Sequence, residues 1–492
     1  IMKKSSRGVV MEQSKRLTIL QMNDSHAYLE LHPEVFIEQG VETYRHVGGY
    51  ARIATIFNQA REENPGGVLA LDNGDTFHGT YPAVASKGEA LVPILNGLGF
   101  DGMTGHWEFA YGPEQLNKLV SMLNYPMLAA NIYDQQTDER VFPSHRVIER
   151  AGLRIGVIGI AEHIVDKTMP PHFSTGIYFT LGNEELPGII AELRDEKKVD
   201  LVVVLSHFGF PQEEKLVREV DGIDILLSGH THNRLEKPVI INDTILIQSG
   251  CHGSFIGRLD VEFSDGKIQS FAHQLIEVTE ELVPDPEVDK LVNAVMSPDR
   301  AMLEEVVGQT EVALNRYYQL ETTMDNLLLE ALLDATGAEL AFSNGWRYGA
   351  PVVEGEITVN DLWNMIPTNP PVSTVEMRGA EIVAMLEENL ENTFASDPYN
   401  QMGGYLKRCL GLKVYVKVEN PTGTRIQSLF IGDQLVDDEK IYFVSFVTVQ
   451  GVPKKYGTNR KNLDLHVIDA LKEYLKKNPT VSPGLRDTVR LV

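Results

Sequence analysis

Leu201-Val202-Val203-Val204-Leu205-Ser206-His207 is a strand-sized apolar run that ends on an imidazole. The next such run, Ile223-Asp224-Ile225-Leu226-Leu227, closes the same way, leading through Ser228-Gly229 into His230-Thr231-His232. Outward from this pair, residues 17–21, 68–71, 127–130, 153–160 and 244–248 also read as short β-rich runs. Helix-like stretches at 49–63, 113–123 and 183–196 lie between several of them. Alternation of this kind predicts an α/β architecture with a substantially parallel sheet.

At 492 residues the chain suits two or three domains. The texture changes near Glu277, where an acidic segment carries Pro284 and Pro286. We therefore expect an N-terminal extension over 1–15, a first domain over 16–276, a linker over 277–315 and a second α/β domain over 316–492. The second domain reads as a helix at 322–336, a strand at 339–343, and helical patterns at 375–390 and 465–476. Its β-rich stretches fall at 412–418 and 441–449.

Composition narrows the function classes. The 44 basic and 69 acidic residues leave a net charge of −25, which argues against a nucleic-acid polymer or an anionic membrane surface as partner. A small anionic substrate stays compatible, because bound divalent cations reverse the local field. No stretch approaches the roughly 20 apolar residues of a membrane helix. Residues 1–16 show no signal peptide, so the expectation is cytoplasmic, or secreted or periplasmic for a processed chain. Two cysteines, Cys251 and Cys409, cannot form a disulfide framework.

The chemistry gathers where strands end. Asp24 and His26 follow the first run in Asn23-Asp24-Ser25-His26, and Asp75 follows the second in Gly74-Asp75. His207, His230 and His232 complete the series. In open α/β sheets the carboxyl ends of strands converge on one crevice, so residues far apart in sequence can share a site. Imidazole with carboxylate selects Mn, Zn, Fe or Co over an all-oxygen Mg or Ca cage. A carboxylate such as Asp75 can bridge two ions, which clamp attacking and leaving oxygens and make hydroxide available near neutrality.

Asn-Asp-x-His, Gly-Asp, Gly-x-x-Glu-Phe, Ser-His and Gly-His-Thr-His, in this order, resemble the calcineurin-like metallophosphoesterases. The subgroup is the 5′-nucleotidase and 2′,3′-cyclic phosphodiesterase family. Ser343-Asn344-Gly345-Trp346-Arg347, followed by Glu354-Gly355-Glu356-Ile357-Thr358, resembles that family's C-terminal substrate domain. The resemblance implies a four-layer metallophosphoesterase β-sandwich flanked by helices, joined to a C-terminal α/β 5′-nucleotidase-type domain. It puts one ion on Asp24, His26, Asp75 and His232, and the second on Asp75, His106, His207 and His230, with manganese favoured. Asn131 and His252 match positions near the site.

The family's Gly-Asn-His-Glu-Phe-Asp motif is altered here to Gly105-His106-Trp107-Glu108-Phe109-Ala110. His106 replaces an asparagine ligand, while Trp107 and Ala110 replace a catalytic histidine and the aspartate that orients it. His106, Trp107 and Arg347 are therefore the catalytic candidates. Arg347 is placed to clamp an oxyanion, since guanidinium matches phosphate or sulfate bidentately. Asn344, Trp346, Arg347, Tyr348 and Tyr405 are the substrate-binding candidates, the aromatics as platforms for a base. The expected activity is dinuclear-metal hydrolysis of phosphoesters, with nucleotides as the leading substrates and metal-bound hydroxide as the attacking group. The altered motif also resembles the thiosulfohydrolases, which release sulfate from a sulfur-modified carrier. A catalytically impaired metal-binding relative is the remaining alternative.

Overall fold

The computed structural model describes residues 14–346, 348–403 and 406–492. Arg347 and Tyr405, two of the substrate candidates, lie outside the described residues. The first domain is built on two sheets. One has the order Lys267–Glu277, Phe255–Ser264, Lys15–Met22, Val68–Asp72 and Gly102–Met103. The other runs Val239–Ile241, Thr244–Ile247, Ile225–Leu227, Leu201–Ser206, Leu153–Ile160 and His145–Arg150. In the first sheet Lys15–Met22, Val68–Asp72 and Gly102–Met103 run parallel, as Thr18 with Val68 shows, while Phe255–Ser264 joins Lys15–Met22 antiparallel; in the second the central pairings are parallel, as Val203 with Ile225 shows.

Alternate side chains of both sheets meet in one apolar layer: Leu17, Ile19, Leu69 and Leu71 from the first, Ile155, Val203, Leu205 and Ile225 from the second. This is the period-two partition of a strand, with successive side chains on opposite faces. The reverse face of the first sheet buries helices Tyr50–Glu63 and Val92–Leu98. The reverse face of the second buries Leu186–Ala191 and Phe210–Glu219. The domain is therefore a four-layer sandwich, helix–sheet–sheet–helix. Because the central strands are parallel, their carboxyl ends open on one edge.

Two sequence expectations need correction. Residues 127–130 form only an isolated bridge, Met103 with Met127, because the chain crosses the sheet edge there without extending a ladder. The helical pattern at 375–390 is in fact two elements: strand Pro371–Arg378, then helix Gly379–Phe394 starting directly on its end. Buried Val375 and Met377 keep a strand alternation, and the helical period begins only after Arg378.

The stretch expected as a linker is structured. Helix Pro286–Met296 is capped by the Asp285 side chain, starts on a proline and packs on the first domain's helices. Strand Val306–Thr310 already hydrogen-bonds into a sheet of the second domain, beside Gly355–Thr358 and Thr480–Val481. That domain adds a five-stranded sheet centred on Ile441–Phe446 and a four-stranded sheet containing Leu412–Val416. One apolar cluster runs from the first domain's helices through Trp107, Trp346 and Tyr348 to Leu327 and Leu471 of the second, so the domains share a core.

Candidate metal centre and substrate cavity

Seven side chains converge at the carboxyl edge of the sandwich. Their donor atoms form two sets within ligand distance of one another: Asp24, His26, Asp75 and His232, and Asp75, His106, His207 and His230. Asp75 belongs to both. Its Oδ1 lies 3.3 Å from His106 Nδ1, and its Oδ2 lies 3.3 Å from His207 Nε2 and 3.6 Å from His26 Nε2. Asp24 Oδ1 lies 3.2 Å from His232 Nε2 and 3.6 Å from His207 Nε2.

Outer contacts set the imidazole tautomers. His207 Nδ1–H donates to the Asn73 carbonyl at 2.7 Å, and His26 Nδ1–H donates to the His78 carbonyl at 3.1 Å. With Nδ1 so engaged, the neutral form of each ring offers its Nε2 lone pair to the centre, the usual arrangement of a metal-binding histidine. Asn73 in turn donates to the Ser206 and Leu227 carbonyls, both at 2.7 Å, and ties three strand ends together.

The backbone here is strained. Asp24, His26, Asp75, His230 and His232 all have φ between 47° and 69°, the left-handed region that non-glycine residues avoid. Each such residue costs about 1–3 kcal/mol, and its clustering on the convergent side chains marks a functional centre. Gly74 makes one close approach possible: at φ 92° a Cβ would sit 2.7 Å from Gly105 Cα and from the Thr104 carbonyl. The two loops that carry Asp75 and His106 could not meet with any larger residue.

Glu108 holds those loops together. Its carboxylate accepts from the backbone N–H groups of His106 at 2.7 Å, Thr76 at 2.7 Å and Asp75 at 3.2 Å. Trp107 N–H donates to Asp75 Oδ1 at 2.8 Å, while its indole stacks on His78 with centroids 4.6 Å apart.

Charge at the centre is balanced internally. Burial opposes ionisation of Asp75, but His207 and His106 outweigh it and hold the carboxyl well below its usual range. Burial likewise opposes a charged His207, but Asp75 and Asp24 hold its imidazole well above its usual range. His106 and His207 are almost fully buried, and both His106 nitrogens and His207 Nε2 lack a hydrogen bond. Buried unsatisfied donors of this kind, converging with two carboxylates, fit a pair of divalent cations.

The centre opens into a cavity of about 370 Å³ between the domains. Asp75, His106, Trp107, His230 and His232 form one wall, and Asn344, Trp346 and Tyr348 face them from the second domain. Met385, Asn389, Asn392 and Lys407 of the second domain also line it. Lys407 is buried and donates to the Gln450 carbonyl; burial lowers its pKa to about 8 against the opposing charge of Glu388. Gly403, at φ 65°, brings the second domain's backbone against His230, where a Cβ would sit 3.2 Å from Nε2.

Sequence reading missed Asn73, Glu108, Lys407 and the acidic Glu162, whose Oε2 lies 3.7 Å from His230 Nε2. The Glu-Phe of the Gly-x-x-Glu-Phe element was the available signal for Glu108. Asn131 bonds the Ala161 and Thr180 backbones and stays out of the cavity. His252 joins His32 and Glu34 in a third close group. That group is satisfied by protein: Glu34 accepts from His252 and Ser254, and His252 Nε2 accepts from Gly349 N–H.

Residues 17–234 match the family model of the calcineurin-like phosphoesterases, and residues 306–448 match that of the 5′-nucleotidase C-terminal domain. The chain belongs to the calcineurin-like phosphoesterases that carry a 5′-nucleotidase C-terminal domain. It is a hydrolase acting on phosphoester bonds. The 5′-nucleotidase of Vibrio cholerae is 26% identical over 80% of this chain and 79% of its own. The trifunctional nucleotide phosphoesterase YfkN of Bacillus subtilis is 25% identical over 83% of this chain, which spans only 30% of YfkN. Among solved structures, the Thermus thermophilus sulfate thiohydrolase SoxB superposes with a TM-score of 0.89 at 24% identity, covering 97% of this chain and 96% of its own. A 5′-nucleotidase precursor, also from Thermus thermophilus, gives 0.84 at 24% identity, covering 97% and 99%. At these identities both structures speak to the fold alone.

Proposed function

We propose that this protein hydrolyses phosphoesters of small anionic molecules, nucleotides foremost, at a dinuclear centre of divalent cations. The carrying observation is the pair of four-residue donor sets that share Asp75 and face a cavity lined by both domains. Asp24, His26, Asp75 and His232 would hold one ion; Asp75, His106, His207 and His230 would hold the other. Two such ions, when bound, clamp the attacking and departing oxygens of an in-line displacement and lower the pKa of water. Histidine-rich sets favour manganese, zinc, iron or cobalt over magnesium.

The chain's own residues bind and orient. A volume near 370 Å³ lies at the lower end of small-molecule sites and suits a mononucleotide. Lys407 supplies positive charge from the second domain, and Trp346 and Tyr348 supply aromatic surface in the same cavity. Arg347, beside them in sequence, is the proposed oxyanion clamp. The nucleotidase names of the Vibrio cholerae relative and the YfkN relative support this substrate class. No described helix is long and apolar enough to cross a membrane.

A second reading, release of sulfate from a sulfur-modified carrier, is favoured by one observation: Trp107 and Ala110 stand where the resemblance expects a His–Asp pair. One assay decides between them. Nucleotides, cyclic nucleotides and sulfur compounds are offered with Mn, Zn, Co and Mg in turn. Phosphate release from nucleotides with a transition ion supports the first reading, and sulfate release alone supports the second. No turnover of either class, with the metals bound, returns the protein to the impaired relatives.

A further inference from the structure

Tyr348 comes from the second domain, yet its ring lies on a residue of the metal centre. It stacks on His26 with centroids 4.1 Å apart and planes 26° from parallel, and meets Trp107 edge-on at 5.7 Å. The residue is 2% exposed, lines the cavity beside Asp75 and His106, and its hydroxyl has no hydrogen bond. Burying an unpaired hydroxyl costs about 1–3 kcal/mol. Equally buried phenols nearby are paired: Tyr28 accepts from Ala350 N–H at 2.8 Å, and Tyr50 bonds Ser25 at 2.7 Å. Tyr125 also lacks a partner, but it lies outside the cavity.

Three consecutive residues pin this segment. The Tyr348 carbonyl accepts from Arg316 at 3.1 Å, Gly349 N–H donates to His252 at 3.2 Å, and Ala350 N–H donates to Tyr28. His252 and Tyr28 belong to the first domain, so the phenol is fixed relative to the donor sets rather than to its own domain alone. A donor fixed in advance is what stabilises developing negative charge best. The neighbouring positions that the family resemblance assigns to a His–Asp pair hold Trp107 and Ala110, neither of which titrates near neutrality.

We propose that the Tyr348 hydroxyl donates a hydrogen bond to an oxygen of the tetrahedral oxyanion at this centre, stabilising charge where the family pattern expects the histidine. The proposal rests on the phosphoester reading above. No proton is transferred.

The test uses the full chain loaded with manganese and the variant Tyr348→Phe, which keeps the ring. Affinity for inorganic phosphate, read by calorimetry, falls about tenfold. With a phosphoester substrate, kcat falls by about 10²-fold and KM changes less than threefold, the range for losing one oxyanion donor. Manganese content and melting temperature stay as in the parent. Unchanged phosphate affinity together with unchanged kcat overturns the assignment, and so does loss of manganese that accounts for the activity loss. If the parent turns over no phosphoester while the variant still loses phosphate affinity, the substrate reading fails and the Tyr348 assignment stands.

Discussion

Asp75 concentrates the logic of the site in one side chain. One carboxylate oxygen faces His106 and the Trp107 N–H, and the other faces His207 and His26. A carboxylate in that position serves both donor sets, so Asp75→Asn should lower the content of both ions together by elemental analysis. Retention of two ions per chain would refute the bridge. Glu108 works one step farther out, and its value lies in the backbone it satisfies. Glu108→Ala leaves four buried N–H groups, those of Asp75, Thr76, Phe77 and His106, without that acceptor, at about 1–3 kcal/mol for each well-formed bond. We expect a stability loss of at least about 3 kcal/mol in urea unfolding, accompanied by weaker metal retention; a loss under about 1 kcal/mol would show that water replaces the carboxylate. These two residues also mark what was legible at this scale. Asp75 announced itself as an acid after an apolar strand. Glu108 did not, because its partners at 75 and 76 lie far away in sequence and carry no pattern that a backbone acceptor would leave there.

Elements were readable where their period ran long enough and misread where two met without a turn. The strand runs at 17–21, 153–160 and 201–206 lie within strands, since both faces of each are buried and the apolar character is continuous. The boundary at Arg378 was invisible because the strand hands over directly to a helix. Helix Thr323–Thr336 is the clearest element of the second domain: Thr322 caps it through Asp325 N–H, and Gly337 ends it in the left-handed conformation. Its first turn also anchors the substrate segment. Asp325 pairs with Arg316 at 2.9 Å and Arg408 at 3.0 Å, all three buried, and Arg316 passes the link to the Tyr348 and Met365 carbonyls. Burial alone would raise the Asp325 pKa, but the two guanidinium groups outweigh it and hold it below the usual range. Removing one partner of a buried ion network costs about 3–5 kcal/mol. Asp325→Ala should show that loss by chemical unfolding, together with a raised KM from the loosened 344–350 segment. A variant of parental stability would mean that Arg316 and Arg408 are held by their backbone acceptors alone.

Across the whole molecule, a chain of net charge −25 encloses a cavity meant, on our reading, for an anion. Cations bound at one end can offset that field, and Lys407 is placed to do so at the other. Its burial makes it a costly charge, held because of where it sits. The amine is depressed to about 8, so it is charged at pH 7 and neutral above that value, while in the unfolded chain it stays charged to about pH 10. Between those limits the unfolded state binds the extra proton, so this group's contribution to stability rises with pH, and at pH 7 its charge costs the fold about 3 kcal/mol. Lys407→Met should therefore stabilise the protein at pH 7 while weakening it as an enzyme. In the parent, KM for a nucleoside monophosphate should climb as pH passes 8; in the variant it should be several-fold higher at pH 7 and flat through the same range. The opposite signs carry the argument, because a merely structural lysine would move stability without KM, and a solvated one would move neither. A KM profile that rises identically in parent and variant would take Lys407 out of substrate binding and leave the cavity's anion preference to the metal centre and Tyr348.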